Sequence, residues 1–110
     1  MTSWNNKTLK KMRMQSVKSM LDVLMLAELR NGSMSGYDVI GYIHNKFGVL
    51  ISSGTVYAHL YALEREGLIT GNNDTKKRKY KLTEKGEQTI DIAFKANIEL
   101  LNKINRLLNP

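Results

Sequence analysis

Apolar positions at three- and four-residue steps organise most of this chain, and one short alternating stretch interrupts them. From Ser16 to Arg30, Val17, Met20, Leu21, Leu24 and Ala27 form one broad apolar face. Met25 and Leu29 extend it, while Lys18, Asp22 and Glu28 stay polar. This spacing predicts a helix that ends at Asn31-Gly32, two residues that tolerate the left-handed backbone of a helix C-terminus. Ser35-Gly36-Tyr37-Asp38 opens a second helix, because Ser35 can accept from freed backbone N–H groups and Asp38 suits a capping box. Val39, Ile40, Ile43 and Phe47 give its apolar face, and Gly48 stops it. Val49-Leu50-Ile51 is a short apolar link with room for one residue pair of strand. A third helix then runs from Ser52 to Gly67, capped by Ser52 or Ser53. Val56, Leu60, Leu63 and Gly67 share one of its sides, leaving Tyr57, Ala58, Tyr61 and Arg65 beside or opposite.

The period changes after Gly67. Leu68-Ile69-Thr70 and Arg78-Lys79-Tyr80-Lys81-Leu82 alternate as strands do, and Gly71-Asn72-Asn73-Asp74 is rich in turn residues, so a hairpin is expected. Thr83 caps a last helix, with Glu84 in the first turn where the helix dipole favours a carboxylate. That helix continues to about Leu108. Its stripe of Ile90, Ala93/Phe94, Asn97, Leu100/Leu101, Ile104 and Leu107/Leu108 is longer than so small a domain can cover. Pairing with a second copy of the chain is the expected use. Ile90, Phe94, Asn97, Leu101, Ile104 and Leu108 are the expected dimer contacts, and Asn97 is a candidate for fixing register. The alternative is that the helix folds back entirely onto its own core.

Two short helices joined by a tight connection, then a basic hairpin, make a winged helix-turn-helix. The expected fold is therefore mainly α with a small β-hairpin, a winged helix-turn-helix plus a long C-terminal dimerisation helix. Its parts are a basic N-terminal segment (1–15), frayed at its start with Leu9 and Met12 leading into the next element, the DNA-binding domain (16–86) and the dimerisation helix (87–110).

Composition narrows the partners. At 110 residues there is room for one core, and an apolar content of 42% is enough to fill it. Net charge is +7 and the isoelectric point is near 9.7, which favours an anionic partner. The distribution matters more than the sum. Lys7, Lys10, Lys11, Arg13 and Lys18 precede Asp22 with no acid among them, and Lys76, Lys77, Arg78, Lys79 and Lys81 cluster in the hairpin. A single charge run is usually a solvated face; two runs flanking a helix-turn-helix point to nucleic acid. The longest apolar run, Val23–Ala27, is too short to span a bilayer, and no secretory signal is visible. Cysteine is absent, which suits a reducing cytoplasm and removes disulfides. The methionines crowded into the first 25 residues are read as adaptable packing rather than a cofactor site.

These features place sequence-specific binding of double-stranded DNA first. Ser53, Thr55, Tyr57, Ala58 and Tyr61 on helix 52–67 are the candidates for the major groove, with hydroxyls for phosphates or base edges and rings for thymine methyls. Lys76, Lys77, Arg78 and Lys79 on the wing (71–79) are the candidates for phosphate neutralisation. His59, at the edge of the core face, is more often packed than reading a base. A protein-interaction or architectural winged helix without a small-molecule inducer is the alternative. An enzyme is a poor third. His44 and His59 are isolated, Glu64 and Glu66 lie on different faces of one helix, and Gly36, Gly41 and Gly48 lack the strand and lysine of a phosphate loop. No cofactor or metal is expected. An effector site, if present, belongs at the dimer interface between the first helix and the last, lined by Trp4, Met12, Phe94 and Leu101.

The motifs also carry a family resemblance over roughly Ser16 to Gly86. They are the leucine-rich first helix, Ser35-Gly36-Tyr37-Asp38-Val39-Ile40, Ser53-Gly54-Thr55-Val56-Tyr57, Leu60, Leu63-Glu64-Arg65-Glu66-Gly67-Leu68-Ile69 and Lys77-Arg78-Lys79-Tyr80-Lys81-Leu82-Thr83-Glu84-Lys85-Gly86. In that order they resemble the PadR family of transcriptional regulators, in its short form with a single C-terminal helix. The resemblance implies a dimeric winged helix-turn-helix repressor, often relieved by a small molecule. The family commonly has proline where Ser53 stands and basic residues near Ala58, Tyr61 and Ala62, so the reading face here is less cationic and more aromatic.

Overall fold

The computed structural model describes residues 7–72 and 78–110. Its elements are α1 (Lys7–Ser19), α2 (Leu21–Leu29), β1 (Met34–Ser35), α3 (Gly36–Phe47), α4 (Ser53–Arg65), β2 (Ile69–Asn72), β3 (Lys79–Leu82) and α5 (Glu84–Leu108). The helix expected over Ser16–Arg30 is in fact two. From Lys7 onward the basic N-terminal segment is already helical, and the helix breaks at Met20, where φ is −103° and ψ is 9°. Two carbonyls, Ser16 O and Val17 O, share the Met20 N–H at 3.2 Å each, and the Ser19 hydroxyl donates to Ser16 O at 2.8 Å. A hydroxyl competing for the helix's own carbonyl loosens the ladder and bends the axis there.

Cap chemistry sets the other boundaries. Asp38 N–H donates to Ser35 Oγ at 3.1 Å and Ser35 N–H donates to Asp38 Oδ2 at 2.9 Å, closing the capping box of α3. Gly48 ends that helix at φ 65°. Ser52, not Ser53, caps α4, accepting from Thr55 N–H at 3.2 Å. At its far end Gly67 turns left-handed at φ 77° and Leu68 N–H reaches back to Leu63 O at 3.0 Å, with both leucines buried. Thr83 caps α5 through Gly86 N–H at 3.0 Å, and its own hydroxyl donates to Gly67 O at 2.6 Å. One threonine therefore starts the last helix and pins it to the end of α4.

The expected hairpin is present as β2 and β3, paired antiparallel with Ile69 opposite Leu82 and Gly71 opposite Tyr80. Its sheet has a third strand, β1, in the order β1-β3-β2, with Met34 opposite Tyr80. The residue pair of strand considered for the 49–51 link lies here instead; Val49 and Ile51 are buried as an irregular connection.

Leu21, Met25 and Leu29 of α2, Val39 and Ile43 of α3, Val56, Leu60 and Leu63 of α4, and Ile69 and Tyr80 of the sheet close one core. Each large side chain so buried contributes about 1.5–3 kcal/mol. One residue of the expected dimer stripe belongs to this core. Ile90 is only 2% exposed and packs inside its own chain, because α5 lies across α2 for its first two turns. Arg30 holds the crossing from outside, donating to Asp91 at 3.0 Å and pairing with Glu87 at 3.4 Å. Beyond it α5 runs past the core beside α1, and the molecule is 52 Å long but only 28 × 20 Å across.

Candidate nucleic-acid interface

Four residues of α4, Gly54, Ala58, Tyr61 and Arg65, are exposed at steps of four, three and four, so they form one row along the helix. Ser53 is exposed beside its start. Since α4 buries Val56, Leu60 and Leu63 on the opposite side, the core holds the row outward. Arg65 is the only arginine or lysine of the helix. Small residues and one tyrosine make the row flat enough to approach another surface closely.

Two expected reading residues are less free than the helical wheel suggests. Tyr57 is half-buried against the core, with its ring end over Gly36, where an added Cβ would meet ring atoms at 2.5–2.7 Å. The ring stacks at a tilt on Tyr61, centroids 6.1 Å apart. Thr55 is half-buried and takes a hydrogen bond from the capping Ser52 hydroxyl at 2.9 Å. Tyr61, 51% exposed, is the ring that reaches solvent. Tyr37, 67% exposed and next to Gly36, adds a second exposed tyrosine that the sequence reading passed over. Its signal was available, since Tyr37 lies off the Val39–Ile43 face of α3. His59 is occupied elsewhere, its Nδ1 2.6 Å from Asp22 Oδ1, tying α4 to α2.

Gly36→Ala tests the Tyr57 seat. The added methyl should cost about 1–3 kcal/mol in thermal melting, as overpacking generally does. In a Tyr57→Ala background the same change should cost almost nothing, because the ring it strikes is gone.

In the hairpin, side chains alternate. Tyr80 and Leu82 face the core, while Lys79 and Lys81 stand on the outer face with Thr70 and Asn72. Arg78, expected on phosphate, is instead engaged within the chain. Its Nη2 donates to Glu64 Oε2 at 2.6 Å, a contact that pushes the guanidinium pKa up, and the group lies 5.5 Å from the Tyr80 ring centre. Lys76 and Lys77 lie outside the described residues. On α1 the cations Lys7, Lys10, Lys11, Arg13 and Lys18 are all exposed.

Two recesses flank α5. A groove of 340 Å³ lies between α1 and α5, lined by Ser16, Ser19, Met20, Asn97, Leu100, Leu101 and Ile104. One turn earlier, Phe94 lines a second with Ala27, Arg30, Ile90 and Asp91. Of the residues expected around an effector, Leu101 and Phe94 thus line recesses. Met12 lines neither, and Trp4 lies outside the described residues. Asn97 donates to Ala93 O at 2.9 Å and is half-buried at the groove. Among the described residues no helix is long and apolar enough to cross a membrane.

No curated protein matches the chain. Among solved structures, a PadR family transcriptional regulator from Eggerthella lenta DSM 2243 superposes with a TM-score of 0.81 at 21% identity, covering 93% of each chain. Bacillus subtilis PadR, solved in complex with operator DNA, matches at 29% identity with a TM-score of 0.63 over 68% of this chain and 47% of its own. The same protein in complex with p-coumaric acid matches at 30% identity and 0.56, over 70% of this chain and 42% of its own. The model of the transcriptional regulator PadR-like family matches residues 23–92, from the middle of α2 into α5. The chain belongs to that family.

Proposed function

We propose that this protein is a sequence-specific transcriptional regulator that binds double-stranded DNA as a two-fold dimer and acts as a repressor. The observation that carries it is the outward row Gly54–Ala58–Tyr61–Arg65, held off the core and flanked by the cationic outer face of the wing. In this reading α4 enters the major groove, with Ser53 and Tyr61 at base edges and Ala58 against thymine methyls. Lys79 and Lys81, together with Lys76 and Lys77, neutralise the phosphates beside it. The operator complex of the Bacillus subtilis protein supports DNA as the partner.

Residues 16–86 serve as the DNA-binding unit and 87–110 as the dimer arm. Exposed Phe94, Leu101, Ile104 and Leu108 form the pairing face with half-buried Asn97 at its edge, Ile98 being added to the expected set and Ile90 removed from it. Two copies would set their α4 helices roughly 34 Å apart, as two-fold readers of successive major grooves require. The groove between α1 and α5 is the place for an effector; that this chain takes a small molecule at all is supported by the p-coumaric acid complex of the Bacillus subtilis protein. The protein acts in the cytoplasm and performs no catalysis.

Binding to a random-sequence duplex at several salt concentrations tests the proposal. Affinity should fall steeply as salt rises, and Lys79→Ala should flatten the log–log slope by about 0.9, the share of one phosphate contact. A flat salt response in the unmodified protein, or no binding at low salt, would sink it.

A further inference from the structure

Glu64 occupies the last turn of α4 and points at the root of the wing. Its Oε2 accepts from two strands at once, from Gly71 N–H on β2 at 3.0 Å and from Arg78 Nη2 beside β3 at 2.6 Å. Both charged side chains are about one-third exposed, 29% for Glu64 and 36% for Arg78, so water screens the pair only in part. The guanidinium lies over the Tyr80 ring and against Gly71, where an added Cβ would meet Arg78 Nε, Cζ and Nη2 at 2.3–2.5 Å. A glycine at 71, a ring at 80 and a carboxylate at 64 therefore make one seat for one arginine. That seat is at odds with a phosphate contact. Pulling Arg78 onto DNA would leave an unpaired carboxylate near the backbone, and like charges repel.

We propose that Glu64 is a positioning and specificity-determining residue for DNA binding. It ties the recognition helix to both strands of the wing and keeps Arg78 off the phosphate backbone. Among the described residues the wing then presents its charge through the outward Lys79 and Lys81, in a fixed pose relative to α4. Removing the carboxylate charge takes away the anion that holds Arg78 and lets its guanidinium turn to a phosphate, a contact made equally with any sequence. This inference rests on the DNA-binding reading.

The test uses the full chain and a random-sequence duplex, with salt slopes measured for three proteins. The unmodified protein must first bind at low salt; if it does not, the DNA-binding reading fails, and this inference with it. Glu64→Gln keeps an acceptor for Gly71 but loses the charge. It should bind the random duplex more tightly at low salt and steepen the slope by about 0.9, an extra three- to fourfold loss for a fourfold rise in salt. The preference for a duplex selected from a random pool over the random duplex should narrow. Glu64→Gln with Arg78→Gln replaces the ion pair by a neutral one and should restore the original slope. A merely structural role would instead lower melting temperature and weaken all duplexes without steepening the slope, which overturns the proposal. So does a double variant whose slope is flatter than the original by about 0.9, since Arg78 would then already have been on phosphate. Should Glu64→Gln alone fail to fold, the double variant still tests the step the proposal needs: an unchanged slope supports Arg78 being held off phosphate, and one flatter by about 0.9 overturns it.

Discussion

Leu101→Glu combined with Leu108→Glu should turn the protein into a monomer by sedimentation and lower its affinity for a two-half-site duplex by roughly 10²–10⁴-fold, the gain that linking two binding units generally provides. Both side chains are already in water in the single chain, 52% and 76% exposed, so the changes remove no packing from the core. What they remove is an apolar strip that the chain leaves largely in water, with α1 bordering it only at the Leu101 groove. Burying four new carboxylates across a two-fold axis would cost far more than the lost leucines contribute. The glutamate at 108, in the last turn, also opposes the helix dipole, a local effect of about 0.3–1 kcal/mol. Lys103→Glu controls for the added negative charge, since position 103 lies on the side of the helix away from the strip, and it should leave the dimer intact. A double variant that still sediments as a dimer would remove this face from the interface.

Gly86→Ala should be the most damaging single methyl in the chain. The added Cβ would stand 2.1 Å from Leu68 O and 2.9 Å from Leu82 Cδ2. A leucine tip can swing away, but the Leu68 carbonyl cannot: it accepts from Thr83 N–H at 3.1 Å, the bond that brings the start of α5 onto the end of α4. Relief therefore requires parting two elements that Thr83 also pins through Gly67. A loss of about 3 kcal/mol is expected, the upper end for overpacking, and a fall in melting temperature on the order of 10 °C. Gly41→Ala is the contrast. Nothing lies within 4 Å of its Cβ, it sits inside α3, and the substitution should stabilise by about 0.4–1 kcal/mol. Equal effects at the two glycines would contradict the packing described around Thr83.

Local chemistry was legible from the residues alone. The Ser35–Asp38 box, the stops at Gly48 and Gly67 and the Thr83 cap each depend on a few neighbouring residues, and each appears where the pattern places it. So do the hairpin and the core faces of α2, α3 and α4. What escaped depends on contacts between distant residues. Helical wheels put Tyr57 at the side of α4, but its partner Gly36 is on another helix and invisible to periodicity. Arg78 looks like one cation among several until Glu64, fourteen positions away, takes it up. Ile90 carries the same three-four spacing as Phe94 and Leu101; only the crossing of α5 over α2 separates a core residue from an exposed strip. The break at Met20 has no proline or glycine to announce it, only a serine hydroxyl bonding backward. β1 is two residues long, too short for any alternation to register.

The slenderness of the molecule has a mechanical side. From Ile90, where α5 is clamped, to Leu108 at its tip is about 27 Å at the usual helical rise. Such an arm is a lever with its fulcrum where Ile90 packs into the core. A tilt of about 10° at that fulcrum carries the tip by about 5 Å, nearly one full helical turn. Distances measured at the far end of α5 are thus magnified images of angles set near Ile90, and a few ångströms of repacking beneath Arg30 count for more there than a substitution at the tip.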